Sequence, residues 1–133
     1  MKTLIVEDDF TSRLLLQSLL SPYGICHTVA NGYEAIRAFG LAADQSEPYN
    51  LVCMDILMPG MNGQDALRSL RSMEDDRQVP QHLCAKIIMT TGLTRPKDVF
   101  ESFKSLCDGY LTKPLDGRQL LDCLRSHALL LSA

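Results

Sequence analysis

The sequence predicts an α/β domain, in which helices cover both faces of a parallel five-stranded sheet. Three observations lead to this prediction. Short apolar runs of strand length alternate with longer segments whose apolar residues recur at helical spacing. Turn residues separate the two kinds of segment. The central run, Leu51–Met54, is continuously apolar, as in a strand buried on both faces, and it leads directly into Asp55.

Composition limits the classes of protein. The 133 residues suffice for one domain, and we expect a single domain over 1–133 without an attached output domain. Hydrophobic residues make up 46% and charged residues 22%, which argues against disorder. The net charge of −3 argues against a nucleic-acid surface. No apolar run approaches the roughly 18 residues that span a bilayer. Five scattered cysteines without a Cys-x-x-Cys pair predict reduced thiols and a cytoplasmic location.

The strand predictions depend on short runs of apolar or β-branched residues between polar or turn residues. In chain order they are Leu4–Val6, Ile25–Ala30, Leu51–Asp55, Lys86–Thr90 and Tyr110–Thr112. Because the strands alternate with helices, we expect them to be parallel and joined by right-handed crossovers.

The helix predictions depend on apolar spacing and on capping signals. Thr11 or Ser12 is the predicted cap of the first helix. The third helix is predicted from Gly63 to about Met73, the fourth begins near Thr94, and the last begins near Asp116. The inward positions, helix by helix, are Leu15, Leu16, Leu19 and Leu20; Ala35, Ile36 and Phe39; Ala66, Leu67 and Leu70; Val99, Phe103 and Leu106; and Leu120, Leu121, Leu124, Ala128 and Leu131.

Polar side chains stand at the carboxyl ends of four predicted strands. They are Glu7, Asp8 and Asp9 after the first strand, Asp55 at the third, Thr90 and Thr91 at the fourth, and Lys113 after the fifth. In open α/β sheets, ligands bind at this edge. Converging carboxylates repel one another unless a cation neutralises them, and oxygen ligands favour Mg²⁺, Mn²⁺ or Ca²⁺ over zinc.

A phosphoryl group attached to Asp55 would suit the remaining residues. A carboxylate can act as a nucleophile and form an acyl phosphate. Lys113 would supply a positive charge and Thr91 a hydroxyl donor to its oxygens. Taken singly, each residue has a simpler interpretation as a solvated acid, a turn residue or a surface lysine, and only their joint placement at strand ends is specific.

With these motifs the chain resembles the receiver domains of two-component response regulators, the CheY-like family. The matching stretches are Ile5–Asp9, Met54–Gly63, Ile87–Gly92 and Gly109–Pro114, in the family's order. The resemblance implies the doubly wound, flavodoxin-like (βα)5 fold with strand order 2-1-3-4-5. It also implies a cis peptide bond between Lys113 and Pro114.

The resemblance further implies that Asp55 accepts a phosphoryl group from a histidine kinase or a phosphotransfer protein. Asp8 and Asp55 would bind the metal, Mg²⁺ or Mn²⁺, directly, together with the backbone carbonyl of Leu57. Glu7 would contribute to the metal site mainly through metal-bound water. Thr91 and Lys113 would bind the phosphoryl oxygens.

Thr91 and Tyr110 would then change the face made by the fourth helix, the fifth strand and the last helix, which a downstream protein reads. The chain would promote its own phosphorylation and dephosphorylation without turning over a separate substrate. We expect no nucleic-acid or membrane partner, and a monomer or a weak dimer through that face.

Several alternatives stay open at this point. The metal pair is either Glu7–Asp8 or Asp8–Asp9. The spacing from Asp8 to Arg13 matches the family when Glu7–Asp8 is the pair. Asp9 would then be a loop acid that caps the first helix. Leu57 is apolar where some members carry a polar residue that assists dephosphorylation. Three function classes are considered. The first is a phosphoacceptor switch, and the second is a Mg²⁺-dependent phosphotransferase or phosphatase, which usually needs a second acid at position 57. The third is a receiver that no longer takes phosphate and works only as a binding module.

Three further segments have two interpretations each. The connections 44–50 and 74–84 look long for the family, either as partner surface or as tolerated insertions. Arg68, Arg71 and Arg77 are interpreted as part of a solvated face. The apolar tail Leu129–Leu131 completes the core or forms a dimer contact, and the core is favoured.

Overall fold

The computed structural model describes residues 1–58, 60–92 and 105–130. Five parallel strands form one sheet, and, numbered along the chain, they lie side by side in the order 2-1-3-4-5. The predicted fold class and strand order are therefore confirmed. Within these ranges no helix combines the length and the hydropathy of a transmembrane segment.

The strands and helices lie close to their predicted positions. The strands are β1 (Lys2–Val6), β2 (Ile25–Val29), β3 (Leu51–Asp55), β4 (Lys86–Thr91) and β5 (Gly109–Thr112). The helices among the described residues are α1 (Phe10–Leu20), α2 (Gly32–Asp44), α3 (Gly63–Asp76) and a C-terminal helix (Gly117–Ser126). Short 3₁₀ turns lie at Ser21–Tyr23 and Gln81–Leu83.

Two apolar layers hold the helices on the sheet. On one face, α2 and α3 pack through Phe39, Leu67 and Leu70 against alternate residues of the central strands. On the other face, α1 and the C-terminal helix pack through two leucines each: Leu16, Leu20, Leu120 and Leu124. All five residues of β3 are buried because the sheet is covered on both faces. This central strand delivers Asp55 to the edge of the core.

Several helix predictions need correction. The cap of α1 is neither Thr11 nor Ser12 but Asp9, the alternative kept open above, and its side chain accepts a hydrogen bond from the Ser12 amide. Leu15 is exposed, because the buried stripe of α1 consists of Leu16 and Leu20 alone. The cap of the last helix at Asp116 is confirmed.

The last helix is also shorter than predicted. It ends at Ser126, and the exposed Ala128 lies beyond it with a φ of 59°. Leu129 and Leu130 pack against the core, as favoured. Leu106 packs on the core as predicted. The helix predicted from Thr94, with Val99 and Phe103, and Leu131 lie outside the described residues.

The interpretation of Arg71 as a solvated residue is wrong. Helix α3 continues past its predicted end at Met73, which places Glu74 on the helix, only 5% exposed. Arg71 is part-buried and pairs with Glu74 at 2.7 Å and with Asp108 at 3.0 Å. Arg68, one turn earlier, is the exposed residue that the sequence predicts, paired with Asp65 at 3.1 Å.

Candidate functional site

The parallel sheet brings the predicted site residues to one edge. In the register of β1 and β3, Val6 lies opposite Met54, so Glu7 follows beside Asp55. On the other side of β3, Asp55 lies opposite Thr90. Thr91 lies opposite Thr112, the residue before Lys113. The strand order thus gathers residues from four strand ends that are distant in sequence.

Asp55 is held from its own loop and from across the sheet. The Leu57 amide donates a hydrogen bond to Asp55 Oδ1 at 3.2 Å. The ammonium of Lys113 lies 3.1 Å from Asp55 Oδ2. The side chain of Asp55 is 7% exposed, so both oxygens are fixed at the mouth of a largely buried site.

A close backbone contact fixes the start of α3 beside Asp55. The Gly63 amide donates to the Ile56 carbonyl at 2.8 Å. A Cβ at Gly63 would lie 2.3 Å from the Asp55 carbonyl oxygen, far inside van der Waals contact. Only glycine therefore permits α3 to begin at this distance from β3.

Glu7 lies deepest in the site. Its side chain is fully buried, and its Oε1 accepts from the Lys113 ammonium at 2.6 Å. Its Oε2 is buried and has no hydrogen-bond partner within the described part of the chain. Burial and the nearby Asp55 carboxylate raise the pKa of Glu7 from 4.5 to about 7, against the opposing effect of Lys113. An unsatisfied buried carboxylate oxygen is costly unless another positive group meets it.

The acidic groups fit a divalent cation. Glu7, Asp8 and Asp55 each offer a carboxylate oxygen, and these atoms lie within 4.8 Å of one another. Such oxygen donors suit Mg²⁺ or Mn²⁺, and the unpartnered Oε2 of Glu7 is an open ligand position. Asp9 is engaged as the cap of α1, which favours Glu7 and Asp8 over Asp8 and Asp9 as the metal pair.

Lys113, which follows β5, reaches across the sheet edge to Asp55 on β3 and to Glu7 after β1. The predicted cis peptide bond between Lys113 and Pro114 is present. Burial by itself would lower the pKa of Lys113, but its hydrogen bonds and charge attraction with Glu7 and Asp55 outweigh burial and raise the pKa. The ammonium is therefore held as a fixed positive charge between the two carboxylates.

The other predicted residues lie around this cluster. Thr91 is fully buried at the end of β4. Tyr110 is partly buried on β5 and packs against the core. The Leu57 side chain is 56% exposed directly beside Asp55. The sequence did not predict the direct contact between Lys113 and Glu7. It predicted that Lys113 binds the oxygens of a phosphoryl group on Asp55 and that Glu7 acts mainly through metal-bound water.

The sequence matches the response regulator receiver domain family over residues 3–125. Among curated relatives, it is 35% identical over 120 residues to the sensor histidine kinase GacS of Pseudomonas protegens, covering 90% of this chain and 12% of GacS. It is 33% identical to the regulatory protein VanRB of Enterococcus faecalis, covering 90% of this chain and 49% of VanRB. The chain thus spans only a fraction of the length of these relatives.

Solved structures share the fold at comparable identity. The receiver domain of the histidine kinase CKI1 from Arabidopsis thaliana, complexed with Mg²⁺ and BeF₃⁻, has a TM-score of 0.76 at 26% identity, covering 94% of this chain and 87% of that one. The receiver domain of sensor histidine kinase PA1611 from Pseudomonas aeruginosa PAO1 has a magnesium ion in its active site cleft. Its TM-score is 0.71 at 26% identity, covering 93% of this chain and 94% of that one.

The raised pKa of Glu7 predicts a pH-dependent stability in metal-free buffer. The folded chain binds this proton more tightly than the unfolded chain, so Glu7 stabilises the fold most below its ordinary pKa of 4.5, and this contribution is lost as the pH rises to about 7. Glu7→Gln should remove this loss of stability. The free energy of unfolding of Glu7→Gln relative to that of the unsubstituted protein should therefore rise by about 1–3 kcal/mol between about pH 5 and pH 8.

Urea unfolding in EDTA measures this difference. Glu47→Gln, which removes an exposed loop acid, is the control and should not reproduce the effect. An equal advantage of Glu7→Gln at both pH values would contradict the assignment.

The acidic cluster predicts a specific loss of metal affinity. Asp8→Ala should weaken Mg²⁺ binding about tenfold or more, measured by calorimetry, because it removes one of the three clustered oxygen donors. Asp9→Ser is the matched control: serine also caps helices, so α1 is preserved and affinity should hold if Glu7 and Asp8 are the pair. Unchanged affinity in Asp8→Ala, or an equal loss in Asp9→Ser, would contradict this choice of ligands.

Proposed function

Because the chain belongs to the response regulator receiver domain family, we propose that Asp55 is the residue through which it receives its signal. Receiver domains of two-component systems are signalling switches, and they partner with histidine kinases or phosphotransfer proteins. In the proposal, Asp55 accepts a phosphoryl group from a partner's phosphohistidine, and residues 1–133 work as a single receiver domain.

One observation carries the proposal. Asp55 is a nearly buried carboxylate at a strand end, with Lys113 at 3.1 Å on one side and two further acids close enough to share a cation. An acid with only a structural role would need no more than the ion pair with Lys113. A second buried acid beside Asp55 makes it more costly to keep both carboxylates ionised. Such an arrangement is typical of a site that binds a further positive charge and a transferred anion.

The chemistry follows from these positions. An Asp55 carboxylate oxygen attacks phosphorus; the P–O bond forms as the P–N bond to the donor histidine breaks, and the leaving imidazole takes up a proton. Lys113 offers its ammonium to the transferred oxygens, and the Thr91 hydroxyl offers a hydrogen bond. A divalent cation bound by Glu7, Asp8, Asp55 and the Leu57 carbonyl would neutralise charge that develops on the phosphoryl group.

The proposed output is a conformational change at β5, two positions along the sheet from the strand that carries Asp55. Thr91 moves toward the phosphoryl group and Tyr110 turns inward, which alters the surface around β5 and the C-terminal helix for a downstream protein partner. The chain acts as a monomer or a weak dimer through this surface. We place it in the cytoplasm, because its five cysteines are free thiols in the described structure.

The competing enzyme hypothesis is disfavoured by Leu57. A phosphotransferase acting on small molecules through an aspartyl phosphate would place an acid two residues after the nucleophile, and this position holds an exposed leucine. Without a polar side chain at position 57 to orient water, hydrolysis of the acyl phosphate would be slow. A slow loss of the phosphoryl group suits a switch better than an enzyme that turns over a substrate.

The proposal predicts one phosphoryl adduct on Asp55. Incubation with Mg²⁺ and a small phosphodonor should add the mass of a single phosphoryl group, which hydroxylamine removes. Asp55→Asn should abolish the adduct. Asp65→Asn, which changes an exposed acid on α3, is the control and should be labelled fully. Turnover of the donor without an adduct would favour an enzyme, and no reaction would favour a pure binding module.

Leu57 predicts the lifetime of the adduct. Leu57→Asn places a side chain that can orient water beside the acyl phosphate, so decay should be faster by about tenfold. This is less than the roughly 10²–10⁴-fold of a general base, because asparagine orients water without accepting its proton. The matched control is Leu57→Met, which keeps an apolar side chain of similar size and should decay at the original rate. Quench-flow or mass spectrometry over time measures both rates. Equal decay of the asparagine and methionine variants would contradict this role.

A further inference from the structure

We propose that Arg71 is a positioning residue that anchors the start of β5 to α3, and that this anchor is required for phosphorylation at Asp55 to change the environment of Tyr110. The inference depends on the proposed function of Asp55 and goes beyond it. Arg71 touches none of the acids of the site.

The guanidinium of Arg71 joins three parts of the chain. It donates to the Leu106 carbonyl at 2.7 Å, to the Ala85 carbonyl at 2.8 Å and to Asp108 at 3.0 Å, and also to Glu74 on its own helix at 2.7 Å. Four of its five N–H donors are therefore used. Ala85 directly precedes β4, Asp108 directly precedes β5, and Leu106 lies two residues before Asp108.

Asp108 extends this network into β4. Its carboxylate accepts from the Ile87 amide at 2.8 Å, and its own amide donates to the Ile87 carbonyl at 2.8 Å. Lys86 lies 3.9 Å from the same carboxylate. The start of β5 is thus tied to both its neighbouring strand and α3, and Tyr110 follows only two residues later.

The other end of α3 is fixed at the phosphoacceptor. Gly63 is held against the Asp55 and Ile56 backbone, and Leu67 and Leu70 bury the helix face between that contact and Arg71. Helix α3 is therefore a rigid connection with Asp55 at one end and the approach to Tyr110 at the other. The segment is thus held at its start by Arg71 and, after β5, by Lys113, whose ammonium lies 3.1 Å from Asp55. A rearrangement at Asp55 and Thr91 therefore acts on the residues between these two attachments, which include Tyr110.

The contacts require an arginine. Their acceptors lie in different directions around a planar group, and a lysine presents its three donors from one atom. Arg71→Lys keeps the charge but cannot hold Ala85, Leu106 and Asp108 together. This variant consequently separates the anchor from the simple presence of a cation.

The experiment uses the full chain labelled with 3-fluorotyrosine. The protein has four tyrosines and no tryptophan, and Tyr110→Phe identifies the Tyr110 resonance. Mg²⁺ and BeF₃⁻ are added as a stable phosphoryl mimic, whose bound fluorine signals report occupancy of the site. In the unsubstituted protein the Tyr110 resonance should shift. In Arg71→Lys and Arg71→Met, occupancy should change less than twofold, while the Tyr110 shift should fall at least threefold.

Three controls make the outcome decisive. Arg68→Met removes the exposed arginine of the same helix and should leave the shift intact. Leu70→Ala removes a core side chain and lowers the stability without touching the Arg71 contacts. Measured at a temperature where its free energy of unfolding equals that of the Arg71 variants, it should keep the Tyr110 shift. Asp108→Asn breaks the same network from its other side and should repeat the loss, which settles the question if Arg71→Met does not fold.

Each result decides between the hypotheses. A normal Tyr110 shift in Arg71→Lys and Asp108→Asn, or an equal loss in Leu70→Ala, overturns the role of Arg71 and leaves the proposed function intact. Absence of bound fluorine signals in the unsubstituted protein overturns the proposed function itself.

Discussion

The ion cluster of Lys113 with Glu7 and Asp55 is the interaction on which the site depends. Two carboxylates are buried next to each other at strand ends, and one ammonium lies within 3.1 Å of both. Neither acid would be tolerated there without a cation, because burying an unpaired charge is strongly unfavourable. The sheet has to bring β1, β3 and β5 into one register for this pairing to exist. The same attraction that supports the folded chain therefore also assembles the phosphoryl site.

Much of this arrangement follows from sequence because the strands are short and apolar. Each strand must end where its apolar run ends, so the residues that follow are forced to the same edge of a parallel sheet. The sequence alone therefore predicts that Glu7, Asp55, Thr91 and Lys113 lie together. The strand order itself came from family resemblance, since periodicity alone does not decide which strands are neighbours.

Two assignments depend on contacts that the local sequence does not decide. Arg71 and Glu74 look like a solvated pair in sequence because both are charged and sit at the end of a helix, yet each finds its partners in segments distant along the chain. For Asp9 the sequence leaves two roles open, metal ligand and helix cap, and the structure shows it as the cap of α1. Local patterns report periodicity and capping potential, whereas the burial of a charge is decided by tertiary partners.

The tight seat of Gly63 against the carbonyl of Asp55 constrains how this protein can evolve. Any replacement at that position introduces a methyl group or more where 2.3 Å is available, so the helix would be pushed off the very strand that presents the aspartate. The preceding Asn62 caps the helix through its side chain and has chemically adequate substitutes. Among natural variants of this turn, position 62 should accordingly vary among capping residues, whereas position 63 should remain glycine.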